Sequence, residues 1–270
     1  MKNYMINMVK CLAVVVLISS CKEKTVKLGK DISFQKEENV HYGNDSEQIL
    51  DFYLPHQESS KKKDVFMIIH GGSWRGGDKS QLTFFTLSMM KKFPDYIFVN
   101  LNYRLATATS SGIPNQTDDI ENAIQYVEKK LKYHPKFILL GNSAGAHLSM
   151  LYAYHFDAKK RVKAVVNIVG PSDLSDPGFE KYTDYSFVKN YLVNPKAFPE
   201  CLQPLLQAPS AGWILLPLLH SPIMETRIRL FLYLKKEDWI LFSPKIKYSM
   251  KAMNLTAGIW IGIKHLMISF

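Results

Sequence analysis

The sequence predicts an α/β protein with a mostly parallel central sheet and helices on both faces. Three observations carry this. Apolar runs of strand length recur at 65–70 (VFMIIH), 96–101 (YIFVNL), 137–140 (FILL) and 162–169 (VKAVVNIV). They lack polar alternation and are rich in β-branched residues, as in strands covered on both sides. Stretches with helical apolar spacing stand between them, and such strand-helix alternation favours parallel strands joined by right-handed crossovers. Finally, 47% hydrophobic and 21% charged residues in a chain of 270 form an ordinary core, which excludes disordered, collagenous and coiled-coil chains. One domain accounts for this length.

Taken in chain order, residues 1–20 read as an export signal. Lys2 and Lys10 accompany the apolar run from Cys11 to Ser20, which is too short to span a bilayer. The run ends in Ile18-Ser19-Ser20-Cys21, which resembles a bacterial lipobox and makes Cys21 the expected lipidation site. A polar tether over 21–35 then leads into a domain over 36–270. A strand pair includes ILDFYL at 49–54, and DKSQLTFFTLSMMKKF has helical spacing between the 65–70 and 96–101 strands. Asp118 and Glu121 form a capping pair for a helix whose inner face is Ile120, Ile124, Val127 and Leu131. A further helix covers about 144–155. The run IRLFLYL at 228–234 is a later strand, and about 174–225 is a cap-like insertion. No internal repeat or low-complexity tract is present.

The net charge is +10, of which Lys2 and Lys10 contribute two. The remaining basic residues are scattered apart from Lys61-Lys62-Lys63, whereas a nucleic-acid protein concentrates them on one stripe. Nucleic acid is therefore not an expected partner. Of three cysteines, Cys11 leaves with the signal and Cys21 is acylated, so Cys201 has no partner and no metal-ligand spacing arises. No metal or other cofactor is expected.

The chemistry is concentrated in two glycine-bracketed turns. FILL runs into Gly141-Asn142-Ser143-Ala144-Gly145 and then into a helix. This is a G-x-S-x-G nucleophile elbow in its required setting, with Ser143 presented at the carboxyl edge of the sheet. His70-Gly71-Gly72-Ser73-Trp74 directly follows the VFMII strand. Its glycines bare backbone N–H groups that, with the N–H of Ala144, are suited to an oxyanion.

HGGSWRGGDKS, LNYRLA, TDDIENAIQYV and GNSAGAHLS, in this order and spacing, resemble the α/β-hydrolase fold. Within it they are most similar to the HGGxW esterases, the group of feruloyl-esterase-like and formamidase-like carboxylic ester hydrolases. The likeness runs from about residue 40 to 176. It implies Ser143 as nucleophile and Gly72, Ser73 and Ala144 as oxyanion donors. It also implies a structural role for Tyr103 and Arg104, with Arg104 bonding a carboxylate such as Asp119. Trp74 is expected beneath the oxyanion turn and Asp78 as a brace of that loop.

A serine nucleophile needs a base oriented by an acid, and in this fold they follow the serine as acid and then histidine. His147 and His155 sit on the elbow helix and His220 precedes any late acid, so chain order selects His265. Asp238, in LKKEDWILFSP after the 228–234 strand, resembles the family's acid, and GIKHLMISF resembles its Gly-x-x-His stretch. Asp173, in GPSDLSD, is the alternative acid, with a turn-capping role the simpler account.

The sequence departs from the family pattern near its end. Tyr233-Leu234 stands where the family has His-Gly, and Leu266-Met267 where it has Gly-Phe. Beyond Cys201 only Glu225, Glu237 and Asp238 are acidic, against eight Lys or Arg. Either the cap has diverged or the reading frame is disturbed near residue 200, which makes the C-terminal part of the fold atypical or incomplete.

Two functions follow. The first is a serine carboxylic ester hydrolase acting through an acyl-enzyme on a small or carbohydrate-linked ester. The second is a catalytically impaired hydrolase-fold lipoprotein that kept the elbow and lost a working base. Both are expected to be exported and held at a bacterial envelope by an N-terminal lipid anchor, with a secreted or periplasmic protein as the alternative. Phe179, Tyr182, Tyr185 and Phe187 either line an aromatic-accepting pocket or pack the core.

Overall fold

The computed structural model describes residues 24–56, 62–197, 213–219 and 230–235. Nine strands form one sheet among these residues: β1 (Lys24–Lys27), β2 (Ser33–His41), β3 (Ile49–Pro55), β4 (Val65–Ile69), β5 (Ile97–Leu101), β6 (Phe137–Asn142), β7 (Val162–Ile168), β8 (Trp213–Leu219) and β9 (Leu230–Lys235). Their spatial order is β1-β2-β3-β5-β4-β6-β7-β9-β8. The centre, β5-β4-β6-β7, is parallel, with Val65 opposite Ile97 and Phe137 opposite Val162. The flanking pairs are antiparallel.

The unbroken apolar runs follow from burial on both faces. Met67, Val99, Leu139 and Val165 point into one core, completed by Ile120, Ile124 and Val127 of α2 (Asn115–Leu131) and Leu148 of α3 (Ala144–Leu151). Their neighbours Phe66, Phe98, Ile138 and Val166 point the other way, onto Met89, Met90 and Phe93 in and after α1 (Thr83–Lys92). Successive strand residues face opposite sides, so each strand serves both layers.

Several boundaries move. Residues 24–35, read as a tether, instead supply β1 and the start of β2, because Val26, Leu28 and Ile32 pack on the second core beside Phe34. Helix α2 starts at Asn115 after Pro114, not at an Asp118 cap. Proline presets the backbone for a helix start, and Asp118 lies in the first turn, where the helix dipole favours its charge. Glu121 is engaged elsewhere, with Tyr152, Arg161 and Gln125. The elbow helix runs as α3 to Leu151 and continues as a π-helical turn over Tyr152–Phe156. β7 stops at Ile168 because Val169 turns left-handed, at φ 51°. Strand β8 falls inside the stretch read as a cap.

Candidate active site

Strand β6 delivers Ser143 to the carboxyl edge of the parallel block, where the chain reverses into α3. Ser143 has φ 50° and ψ −118°, a conformation that side-chain-bearing residues rarely adopt. The surroundings enforce it. The Ser143 N–H donates to the Ile168 carbonyl at 2.8 Å, and the Ala146 and His147 N–H groups donate to the Ser143 carbonyl at 3.0 and 3.2 Å.

Two close approaches join this elbow to β4 and its following turn. A side chain on Gly145 would meet the Ile69 and His70 carbonyls at 2.3 Å, and one on Gly71 would meet the Asn142 carbonyl at 2.9 Å and Ser143 Cβ at 3.0 Å. Glycine therefore lets the 70–74 turn press directly on the elbow at Ser143. Gly72 is at φ 119°, with Ser73 at 53° and Trp74 at 62°, a run of three residues on the left-handed side. The Ala144 N–H, at the start of α3, belongs to the same edge.

The turn is braced from below. Tyr103 stacks on His70 with ring centroids 4.4 Å apart, and its hydroxyl donates to the His70 carbonyl at 3.0 Å. Burial lowers the His70 pKa, against the opposing effect of a 2.6 Å hydrogen bond between its Nδ1 and the Gly71 carbonyl oxygen. Trp74 is buried, and its carbonyl accepts from the Gln116 amide at 2.7 Å and the Ala106 N–H at 2.8 Å. Asp78 accepts from the Ser80 N–H and the Asn102 amide, both at 2.8 Å. Burial opposes its charge, but these donors outweigh that and carry the carboxyl down to about 2. Arg104 bonds Asp119 through Nε and Nη2, as the sequence resemblance implies. Gln116 and Asn102 supply bracing that no local motif signals, since both lie far along the chain from the turn they serve.

From the solvent side, the chain after β7 folds over the turn in short helical turns at Pro177–Lys181 and Tyr185–Leu192. Phe179 packs edge-on against Trp74 and stacks on Tyr182. Beneath it, a cavity of about 320 Å³ is lined by Leu174, Phe179, Tyr185, Val188, Lys189 and Val193. The aromatic cluster read from sequence thus both packs and lines a cavity.

His147, one helical turn past Ser143, is 1% exposed and lies edge-on to Trp74 at 5.3 Å. Burial pushes its pKa down to about 4. The unfolded chain takes up this proton near pH 6.5, the folded chain only near 4. The folded pKa is depressed, so stability is fully present above pH 6.5 and is lost as pH falls to 4, by about 3 kcal/mol. Urea unfolding between pH 7 and 4 should register this loss, and His147→Phe should flatten the slope. An unchanged slope would assign the titration to other groups.

Asp238, His265 and Cys21 lie outside the described residues. Asp173 sits at the elbow's edge of the sheet, where its Oδ1 accepts from the Ser175 N–H at 2.8 Å and hydroxyl at 2.6 Å, a turn-capping role. Among the described residues no group of three or more His, Cys, Asp or Glu is placed to hold a metal ion. Nor is any described helix long and apolar enough to cross a membrane.

A model of the BD-FAE family matches residues 50–197, more than half of the chain. The chain belongs to the BD-FAE family. This is a feruloyl-esterase-like group of α/β-hydrolases, and the matched stretch contains the elbow, the 70–74 turn and all of the parallel block. The match ends at Ala197, close to where the acidic residues thin out. A kynurenine formamidase-like hydrolase of Fusarium equiseti is 26% identical over 155 residues, covering 48% of this chain and 52% of the relative. The BD-FAE protein thus spans about half the length of this curated relative. Among solved structures, esterase B of Lactobacillus rhamnosis is 17% identical at a TM-score of 0.49, covering 70% of this chain and 65% of that one. A truncated carbohydrate esterase from gut microbiota is 23% identical at a TM-score of 0.39, covering 46% and 45%.

Proposed function

We propose that this BD-FAE protein is a serine carboxylic ester hydrolase that works through an acyl-enzyme on a small or carbohydrate-linked ester. The strained elbow at Ser143, pressed against the Gly71-Gly72 turn, carries the reading. In it the Ser143 hydroxyl attacks the ester carbonyl and the developing oxyanion is held by the N–H groups of Gly72, Ser73 and Ala144. One such donor is worth about 3–4 kcal/mol of barrier. His265 takes the serine proton and returns it to the departing alcohol, with Asp238 orienting the imidazole. Water activated by the same base then releases the acid. The reaction calls for no cofactor. Cys21, after its apolar leader, supports an exported protein held at the envelope by a lipid.

A second reading, an impaired catalyst with an intact elbow, is favoured by the direction of β9. This strand runs antiparallel to β7, with Leu230 opposite Ile168 and Leu234 opposite Ala164. Its end at Lys235 therefore lies at the edge away from Ser143, about 16 Å of strand from the level of Ile168. Asp238 follows only three residues later, and three extended residues reach about 11 Å. Triads act as units, so loss of the acid or base removes most of the rate even with Ser143 in place.

Turnover of p-nitrophenyl acetate by the full chain, beside Ser143→Ala and His265→Ala, separates the two. An active parent with both variants inactive supports the complete triad. Activity lost in Ser143→Ala but retained in His265→Ala assigns the base elsewhere. Background turnover in folded protein with Ser143 unlabelled by an organophosphonate supports the impaired reading, whereas labelling of Ser143 needs an activated serine and argues against it.

A further inference from the structure

The 72–75 turn is held from outside by the segment that follows β7, residue by residue. The Ser73 hydroxyl shares a 2.6 Å hydrogen bond with the Tyr182 hydroxyl. The Arg75 guanidinium meets the Asp184 carboxylate at 2.5 Å and lies 4.8 Å over the Phe187 ring. Trp74, between them, is covered by Phe179, which stacks on Tyr182 at 5.1 Å. Ser73 and Trp74 both sit at positive φ, a conformation that disfavours residues with a Cβ and tends to relax unless neighbours over-determine it. The turn's own bonds, from the Arg75 and Gly76 N–H groups to the Gly72 carbonyl, leave the Ser73 side chain and the Arg75 head unheld.

We propose that Tyr182 and Asp184 are positioning residues, forming a strap that holds the Gly72 and Ser73 amides in the orientation an oxyanion requires. This rests on reading the turn as the oxyanion hole. Oxyanion donors act by being pre-aimed, so a small rotation of the turn weakens them without unfolding anything. The Arg75 side chain is 48% exposed, so the ion pair contributes little to global stability. That combination separates positioning from scaffolding: rate falls while melting temperature stays.

The test uses the full chain with Tyr182→Phe, Asp184→Asn, the double variant and the charge swap Arg75→Asp with Asp184→Arg. Amide hydrogen exchange is followed across residues 71–77, with kcat and KM for p-nitrophenyl acetate. The double variant is expected to exchange several-fold faster in this peptide and to lose roughly tenfold in kcat, with KM within about twofold and melting within about 3 °C. The charge swap should recover part of both relative to Asp184→Asn. Parent-like exchange and kcat in the double variant would overturn the strap, as would a kcat loss tracked by a general fall in melting temperature. If the parent neither turns over ester nor labels at Ser143, the esterase reading fails on that result. Exchange across 71–77 then still decides whether the strap holds the turn.

Discussion

Ser143→Gly should yield a protein with no esterase activity and higher stability than its parent. Ser143 is held at φ 50° and ψ −118°, and a side chain there carries strain of about 1–3 kcal/mol. Glycine adopts this conformation freely but has more entropy to lose on folding, about 0.5–1 kcal/mol. The expected net gain is about 1 kcal/mol, or roughly 2–4 °C in melting temperature for a domain of this size. Loss of the proposed nucleophile should lower kcat by at least about a thousandfold. Ser143→Ala, which keeps the strain, should lose the same activity without the stability gain. Differential scanning calorimetry on the three proteins checks this. Equal melting of the alanine and glycine variants would mean the elbow is relaxed, and retained turnover in either would assign the nucleophile elsewhere.

Asp119→Ala should be the most damaging single change away from the elbow. Asp119 is fully buried, and its two oxygens accept from the Arg104 N–H at 2.8 Å, Arg104 Nη2 at 2.6 Å and Gln48 Nε2 at 2.7 Å. These bonds tie α2 to the chain after β5 and to the turn before β3. The Arg104 guanidinium stays charged when its partner is removed, because arginine is protonated at neutral pH with or without a carboxylate beside it. Stranding a half-buried cation and a buried amide costs about 3–5 kcal/mol. Set against a typical reserve of 5–15 kcal/mol, that loss should pull the urea midpoint down by a large fraction. Asp119→Asn, which keeps the shape and one acceptor oxygen, should fall between parent and alanine. A loss under about 1 kcal/mol for alanine would mean that water replaces the carboxylate.

Much of the site was legible because its parts are local. A strand, a sharp turn and a helix are consecutive, so FILL-GNSAG placed Ser143, and VFMII-HGGSW placed the second turn beside it. The parallel centre was legible because strands buried on both faces show continuous apolar runs. The start of α2 is not legible, because Asp118 and Glu121 mimic a capping pair while the helix begins after Pro114. The β1 strand is not legible either, because KTVK is polar apart from Val26, and only pairing with β2 and packing of Leu28 and Ile32 make it part of the sheet.

The sequence alone determined the layered α/β architecture, the elbow and the glycines that bring the 70–74 turn against it, since each follows from neighbouring residues and steric size. Tertiary structure decided what holds these parts in place. Ser73 and Arg75 find Tyr182 and Asp184 each 109 residues away. His147 loses its ordinary pKa only because the fold closes over it, and β9 takes its direction from pairing with β7. Such contacts depend on which distant surfaces meet, and no spacing along the chain encodes that.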